Sequence, residues 1–396
     1  MRHVTDRQRR ARLAHRHCLA PDSRAADVLA ATRAMTVLHA TEPASVHLAL
    51  WARVADVAVA DVERALYEDR TLVKQLAMRR TLFAFPRDLL PAAWGSASAR
   101  VATAEAGRLA REIEKGGLTA DGEAWVETAR KAALDRLRGG EELTATELRE
   151  QVPELAGQLT YGTGKSWGGT ISVAPRVIGQ LGAEGAVVRA RNGGHWRTSR
   201  PRYCLMEDWL GEPVSPLPER EGYAELVRRW LWTFGPGTET DLRWWLGSTA
   251  GAARRALADV GAVPVRLDAH GDRSEDGWLL PDDLDDMPEP EPWAALLPVL
   301  DPTVMGWKQR DFYLGPHAGA LFDSNGNAGT TAWRDGRVVG CWVQDDDGTV
   351  RVVPVEDLAA DARRALDAEA ARLTGWLGGD KVVTVYSSPA MKAARR

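Results

Sequence analysis

The chain has 396 residues, near-balanced charge (51 Lys+Arg against 55 Asp+Glu) and three cysteines. That length holds several domains, each with its own core, while Cys18, Cys204 and Cys341 stand too far apart for a disulfide framework or a Cys-x-x-Cys metal site. The basic, polar N-terminus resembles no signal peptide and no apolar run approaches the ~20 residues that span a bilayer, so a reduced, cytoplasmic protein is expected.

The first predicted helix covers 5–19 with Thr5 as its cap, and a second covers about 25–37. The second runs into His39-Ala40-Thr41-Glu42-Pro43, where Pro43 biases Glu42 away from helical angles, so this segment is expected at a helix C-terminus or on the following turn. Helices over 44–53 and 59–69 follow. An alternating apolar pair comes next, 72–76 and 81–85, stopped by Pro86, with Arg79 and Arg80 at the turn between them. A helical connection, 91–116, leads to Thr144-Ala145-Thr146-Glu147, which has capping-box spacing. Beyond it lie a helix over 170–182 and a hairpin, 186–191 and 195–205, whose Asn192-Gly193 step is a strong turn signal.

The pattern then returns a third time. A helix over 223–232 is broken at Gly235-Pro236-Gly237, Thr238 caps the next helix, a third covers 249–260, and strands over 263–267 and 278–280 pair. An acidic stretch, 282–286, and a Pro-rich linker, 288–292, close this unit. The remainder reads as short strands over 330–334, 337–344 and 350–355 around an Asp335-Gly336 turn, then a helix over 356–376 and a last strand over 382–386. Most of the sixteen tryptophans, including the pairs Trp230/Trp232 and Trp244/Trp245, are expected in the core.

Helix, break, helix and hairpin, three times over, is the outline of a winged helix. The expected fold is α+β: three tandem winged-helix units and a C-terminal antiparallel β-rich domain. The divisions are 1–90, 91–215, 216–288 and 289–396. Residues 1–200 carry 30 basic against 23 acidic side chains, and 201–396 carry 21 against 32, so a phosphate-facing surface is expected on the N-terminal half. Arg189, Arg191, Arg197 and Arg200, with Trp196, make the second hairpin basic and aromatic, suited to phosphates and an unstacked base. Arg79 and Arg80 are expected to reach phosphates from the first hairpin, and Lys165 from the loop 162–166. That glycine-rich loop lacks the spacing and the preceding strand of a P-loop. No His-Glu-x-x-His motif is present, so neither a metal nor another cofactor is called for, and Asp301 and Asp323 read as turn residues.

These residues carry a resemblance. Val37 to Pro43, Leu48 to Arg53, Met78 to Leu82, Phe234-Gly235-Pro236, Leu296 to Pro302 and Asp335 to Trp342, in this order and spacing, resemble the AlkZ/YcaQ-like winged-helix DNA glycosylases across nearly the whole chain. The resemblance implies winged helices cradling damaged double-stranded DNA in the nucleoid, and hydrolytic release of N7-alkylated purines, in some members also from interstrand crosslinks. It also implies catalysis by a Gln-Φ-Gln or Gln-Φ-Asp motif, whose positions here are His39 and Thr41, with Glu42 adjacent; Arg80 stands where the family has glycine. Breaking an N-glycosidic bond requires water to attack an oxocarbenium-like sugar; a neutral His39 can take a proton from that water and Thr41 can hold it. With no lysine beside the motif, a monofunctional hydrolase is expected, and as a monomer. The missing glutamines leave open a DNA-binding regulator or damage sensor without catalysis, and a protein-interaction module whose winged helices never touch DNA.

Overall fold

The computed structural model describes residues 1–161, 168–268 and 274–395. The chain is a mixed α+β structure in which helices alternate with several small sheets. In the first part, β1 (His3–Val4) leads into α1 (Asp6–Arg16), where Thr5 and Gln8 form a reciprocal capping box. Next come α2 (Val28–Ala34), β2 (Leu38–His39), α3 (Pro43–Trp51), α4 (Val59–Glu63) with a π-type turn continuing to Glu68, β3 (Leu72–Ala77) and β4 (Thr81–Pro86). The hairpin β3–β4 forms as its alternation predicts. A third strand joins it, in the order β2-β4-β3, with His39 opposite Phe83. His39 therefore sits on a strand and not at a helix end. Its partner strand is distant in sequence, so no local signal encodes the pairing.

The second part contains α5 (Leu90–Gly95), α6 (Ala97–Lys115), α7 (Gly122–Leu137), α8 (Ala145–Gln151), β5 (Gln158–Tyr161), β6 (Gly169–Ser172), α9 (Ala174–Glu184), β7 (Val187–Asn192), β8 (Pro201–Leu205) and α10 (Met206–Leu210). Thr144 and Glu147 form the expected capping box. Three expectations change. Helix α7 was not anticipated, residues 170–172 belong to a strand, and Asn192-Gly193 does not make a two-residue turn. Instead Asn192 pairs with Pro201, and its side chain folds the long loop between them. Its Nδ2 donates to the carbonyls of Gly194, His195 and Thr198, and its Oδ1 accepts from the Arg200 amide. Pro201 lacks an N–H for a ladder bond, and the asparagine side chain supplies hydrogen bonds in its place. The loop 162–166, with Lys165, lies outside the described residues.

In the third part α11 (Glu219–Phe234), α12 (Glu239–Leu246), α13 (Ala250–Asp259), β9 (Val263–Asp268) and β10 (Ser274–Leu279) follow the expected order, with Thr238 and Thr249 as caps. The N-terminal β1 pairs in parallel with β9, tying the start of the chain to this hairpin. The C-terminal part holds β11 (Ala294–Leu297), α14 (Pro302–Met305), α15 (Asp311–Leu314), α16 (Ala318–Leu321), β12 (Thr331–Arg334), β13 (Arg337–Gln344), β14 (Val350–Pro354), α17 (Ala360–Leu377) and α18 (Pro389–Ala394). Its four strands pair antiparallel in sequence order. Asp335 and Gly336 both take positive φ, as a tight hairpin turn needs.

The segment 382–386 is not a strand. It is a strap held by side chains: the Val382 amide donates to Gln344 Oε1 and the Val385 amide to Glu42 Oε1. One apolar core joins the first part, α11, α12 and the C-terminal sheet, and a separate core lies among α6 to α9. All three cysteines are buried and unpaired, and among the described residues no helix is long and apolar enough to cross a membrane.

Candidate active site

The motif expected to carry chemistry occupies the short strand β2 and the link to α3. His39 is 5 % exposed, and its ring lies 4.6 Å from that of Phe83 on the neighbouring strand. Its Nδ1 is buried without a hydrogen-bond partner. Burial, reinforced by the charge of Arg79, holds its pKa well below the ordinary histidine value. The ring is therefore neutral at physiological pH, with an unengaged nitrogen. Thr41 is exposed, and its hydroxyl makes no hydrogen bond among the described residues. Glu42 caps the backbone start of α3, and its carboxylate turns to the strap: Oε1 accepts from Thr384 Oγ1 and the Val385 amide, both at 2.8 Å. Burial pushes its pKa up, and those two bonds partly offset the rise. That oxygen is thus engaged in holding the strap.

The turn of the β3–β4 hairpin departs from expectation. Arg79 and Arg80 both take left-handed backbone angles, φ 54° and 58°, a conformation costing non-glycine residues roughly 1–2 kcal/mol each. That backbone is one glycine adopts freely, a physical reason for the glycine that the resemblance implies at the position of Arg80. Arg79 does not extend outward. It packs over Trp244 on α12, 3.9 Å from the ring centroid, and Arg310 lies 5.0 Å from the same ring. Burial and then Arg310 lower the Arg79 pKa to about 10, so it stays charged at neutral pH. Arg80 is exposed but engaged, its Nε 2.7 Å from Glu105 on α6. The first hairpin thus spends its arginines on neighbouring elements.

The second hairpin is also only partly available. Trp196 is no exposed stacking platform: it is buried against His47 and Trp376, and its Nε1 donates to Asp380. Arg197 folds back with it, donating to His195 and Lys381 and pairing with Asp380 at 3.1 Å. These side chains dock the loop onto the C-terminal part, because a tryptophan with one polar tip is most stable where its rings are covered and its N–H is bonded. Arg191 remains well exposed, 3.9 Å from Glu142, and Arg200 is exposed with no carboxylate partner among the described residues. Arg189 faces Lys74 in a pocket between the two hairpins. Replacing Arg191 and Arg200 together with alanine should weaken duplex binding across all sequences and reduce the slope of log affinity against log salt by about two. A titration in 50–200 mM salt measures this. An unchanged slope would move the phosphate contacts elsewhere.

Three residues that sequence reasoning passed over complete the picture. Trp244 was placed in the core, yet it is half-buried and carries two arginines; Arg310 was not singled out at all. Lys74 shares the sheet of His39, but the rung Leu38–Ala84–Lys74 points to the opposite face from the rung His39–Phe83–Gln75. A signal for Lys74 was present: it is a lone charge on the leucine face of an alternating strand, Leu72-Val73-Lys74-Gln75-Leu76. Asp301, read as a turn residue, proves to be the N-cap of α14 and half of a buried ion pair with Arg53.

The sequence model of the family described as DNA glycosylase AlkZ-like matches residues 32–376. In fold the chain is similar to the solved structure of the Streptomyces sahachiroi DNA glycosylase AlkZ, with a TM-score of 0.73 at 21% sequence identity, over 95% of this chain and 98% of that chain. No curated protein matches.

Proposed function

Since the chain belongs to the DNA glycosylase AlkZ-like family, we propose that it is a monofunctional glycosylase that hydrolyses the N-glycosidic bond of alkylated purines in duplex DNA, N7-alkylguanine above all. The observation that carries this reading is the neutral His39 imidazole at the motif position, two residues before an exposed threonine hydroxyl. N7-alkylation makes the base cationic and a good leaving group. The enzyme then needs mainly to place water against the developing sugar cation and accept its proton. A neutral imidazole does the second, and the Thr41 hydroxyl assists the first. The positions that hold glutamine or aspartate elsewhere in the family are thereby filled by a stronger base and a weaker polar group.

The alternative, a DNA-binding damage sensor without catalysis, draws support from Glu42. The carboxylate nearest the motif is engaged with Thr384 and Val385. Base release from a duplex carrying one N7-methylguanine separates the two. Single-turnover release supports the glycosylase. Duplex binding without release of that base, or of bulkier N7 adducts and crosslinks, leaves the sensor.

The protonation state makes a second prediction. The working base is the neutral imidazole, and its pKa in the folded protein is depressed, so proton uptake that would silence it begins only well below pH 6.5. The single-turnover rate should therefore stay level from pH 7.5 to 6. An acid limb centred near 6.5 would show that the group in control is not this buried histidine.

A further inference from the structure

Between the hairpin β3–β4 and the elements α9, β7 and β8 lies a pocket of about 110 Å³, lined among others by Lys74, Leu82, Ile178, Val187, Arg189 and Tyr203. Lys74 enters it from β3, and its ammonium donates to Tyr67 Oη at 2.7 Å. An ammonium has three donor hydrogens, so that bond leaves capacity for an acceptor brought from outside. Arg189 enters the same pocket from β7. Among the described residues no carboxylate lies within ion-pairing distance of either cation. Two like charges in one small pocket oppose each other, and burial leaves the Lys74 amine poorly solvated. The arrangement becomes favourable when an anion is placed between them. The volume equals that of three to four waters at about 30 Å³ each, enough for the oxygens of one tetrahedral phosphate.

We propose that Lys74 and Arg189 together grip one backbone phosphate of duplex DNA, closing the second hairpin against the β3–β4 hairpin, whose strand β4 pairs with the strand of His39. The proposal rests on the reading of the chain as a DNA glycosylase and adds to it a specific anchor. Its macromolecular source follows from the hairpin itself. Arg191, two residues beyond Arg189 on β7, and Arg200 stay exposed, continuing the basic surface past the pocket. A bound phosphate would bridge the first and second parts of the chain. These parts are also joined by the buried Gln75, which donates to the Gly182 carbonyl, and by the Arg80–Glu105 ion pair.

The clamp has a titration signature. Burial, then the charge of Arg189, lowers the Lys74 pKa to about 8. The other groups facing the amine are Glu63 on α4, Tyr67 on the turn after it, His47 on α3 and Tyr203 on β8. Burial holds His47 down to about 3 and pushes Tyr67 up, so neither of these two titrates between pH 7 and 9. Only the protonated amine attracts a phosphate, so affinity is full below pH 8 and falls as pH rises through it.

The experiment is equilibrium binding of a fluorescent, undamaged duplex to the full chain at pH 7, 8 and 9 and at several salt concentrations. Wild type, Lys74→Met and Lys74→Arg are compared. In wild type, affinity should drop about tenfold from pH 7 to 9. Lys74→Met should lose about tenfold at pH 7, with a salt slope smaller by about one. Lys74→Arg, charged throughout, should bind at pH 9 as at pH 7 and so answers for any folding defect of the methionine variant. Wild-type affinity level across this range, or Lys74→Met binding with unchanged affinity and slope, overturns the clamp while leaving the glycosylase reading standing. A wild-type protein that binds no duplex overturns both.

Discussion

Replacing His39 with alanine should slow base release from an N7-methylguanine duplex by about 10²–10⁴-fold, the range that a positioned proton acceptor contributes, with duplex affinity little changed. The histidine touches Phe83 and lies within the field of Arg79, but it makes no hydrogen bond through Nδ1. Its removal therefore takes away a nitrogen that no structural contact requires. His39→Gln separates two roles. Glutamine holds water through its carbonyl but cannot take the proton, so a rate near wild type would mean that His39 acts by hydrogen bonding. A loss equal to that of alanine would mean that proton acceptance is what it supplies. Thr41→Val should cost about tenfold, the worth of one hydrogen bond. Full activity in His39→Ala, with the melting temperature retained, would place the chemistry elsewhere in the chain.

The largest effect on stability is expected at Arg53 and Asp301. Both side chains are fully buried. The guanidinium donates through both terminal nitrogens to the carboxylate, at 2.7 and 2.9 Å, and also to Thr303 Oγ1 and the Ala49 carbonyl. Asp301 Oδ1 in turn accepts from the Thr303 amide at the start of α14. The pair joins the end of α3, the helix that follows the candidate motif, to the C-terminal part. Asp301→Ala leaves a buried guanidinium without its counter-charge and should cost about 3–5 kcal/mol, read as a lowered urea midpoint. The double variant Arg53→Met/Asp301→Leu should recover most of that loss, because replacing both charges with apolar groups of similar size removes the desolvation penalty along with the attraction. A double variant no more stable than the single one would mean that the pair's geometry, and not its charge balance, holds the two parts together. Since Ser45 on α3 also donates to the Val299 carbonyl, the single variant is expected to loosen the motif as well, lowering the release rate before the protein unfolds.

Much of the local structure was legible in the sequence, for a stateable reason. Thr5, Thr144 and Thr238 cap their helices through bonds that span three residues, and the strands of the β3–β4 hairpin alternate with the period of two that their pairing imposes. Asp335-Gly336 makes its turn because both residues accept positive φ. Each of these is a relation between near neighbours, and the order and spacing of such segments sufficed to place the chain in its family. The segment 382–386 reads as a strand in the sequence, but among the described residues it pairs with no sheet and is held by Gln344 and Glu42 instead.

The state of the candidate site was decided elsewhere. That His39 is neutral follows from its burial beside β4 and from Arg79 above it. That Arg79 is turned inward follows from Trp244, a residue of another part of the chain. Trp196 and Arg197 look like a nucleic-acid surface in the sequence and become an internal joint because Asp380 and Trp376 happen to lie across from them. Lys74 gains its place as a phosphate anchor only when α9 and β7 close over it. By itself the sequence determined most of the helices, several of their caps and the strands of the hairpins, since propensity and capping act over a few residues. Which side chains are buried, charged or free to meet DNA was settled only by tertiary structure, because solvation and Coulomb energy depend on distances between atoms that the chain brings together from far apart.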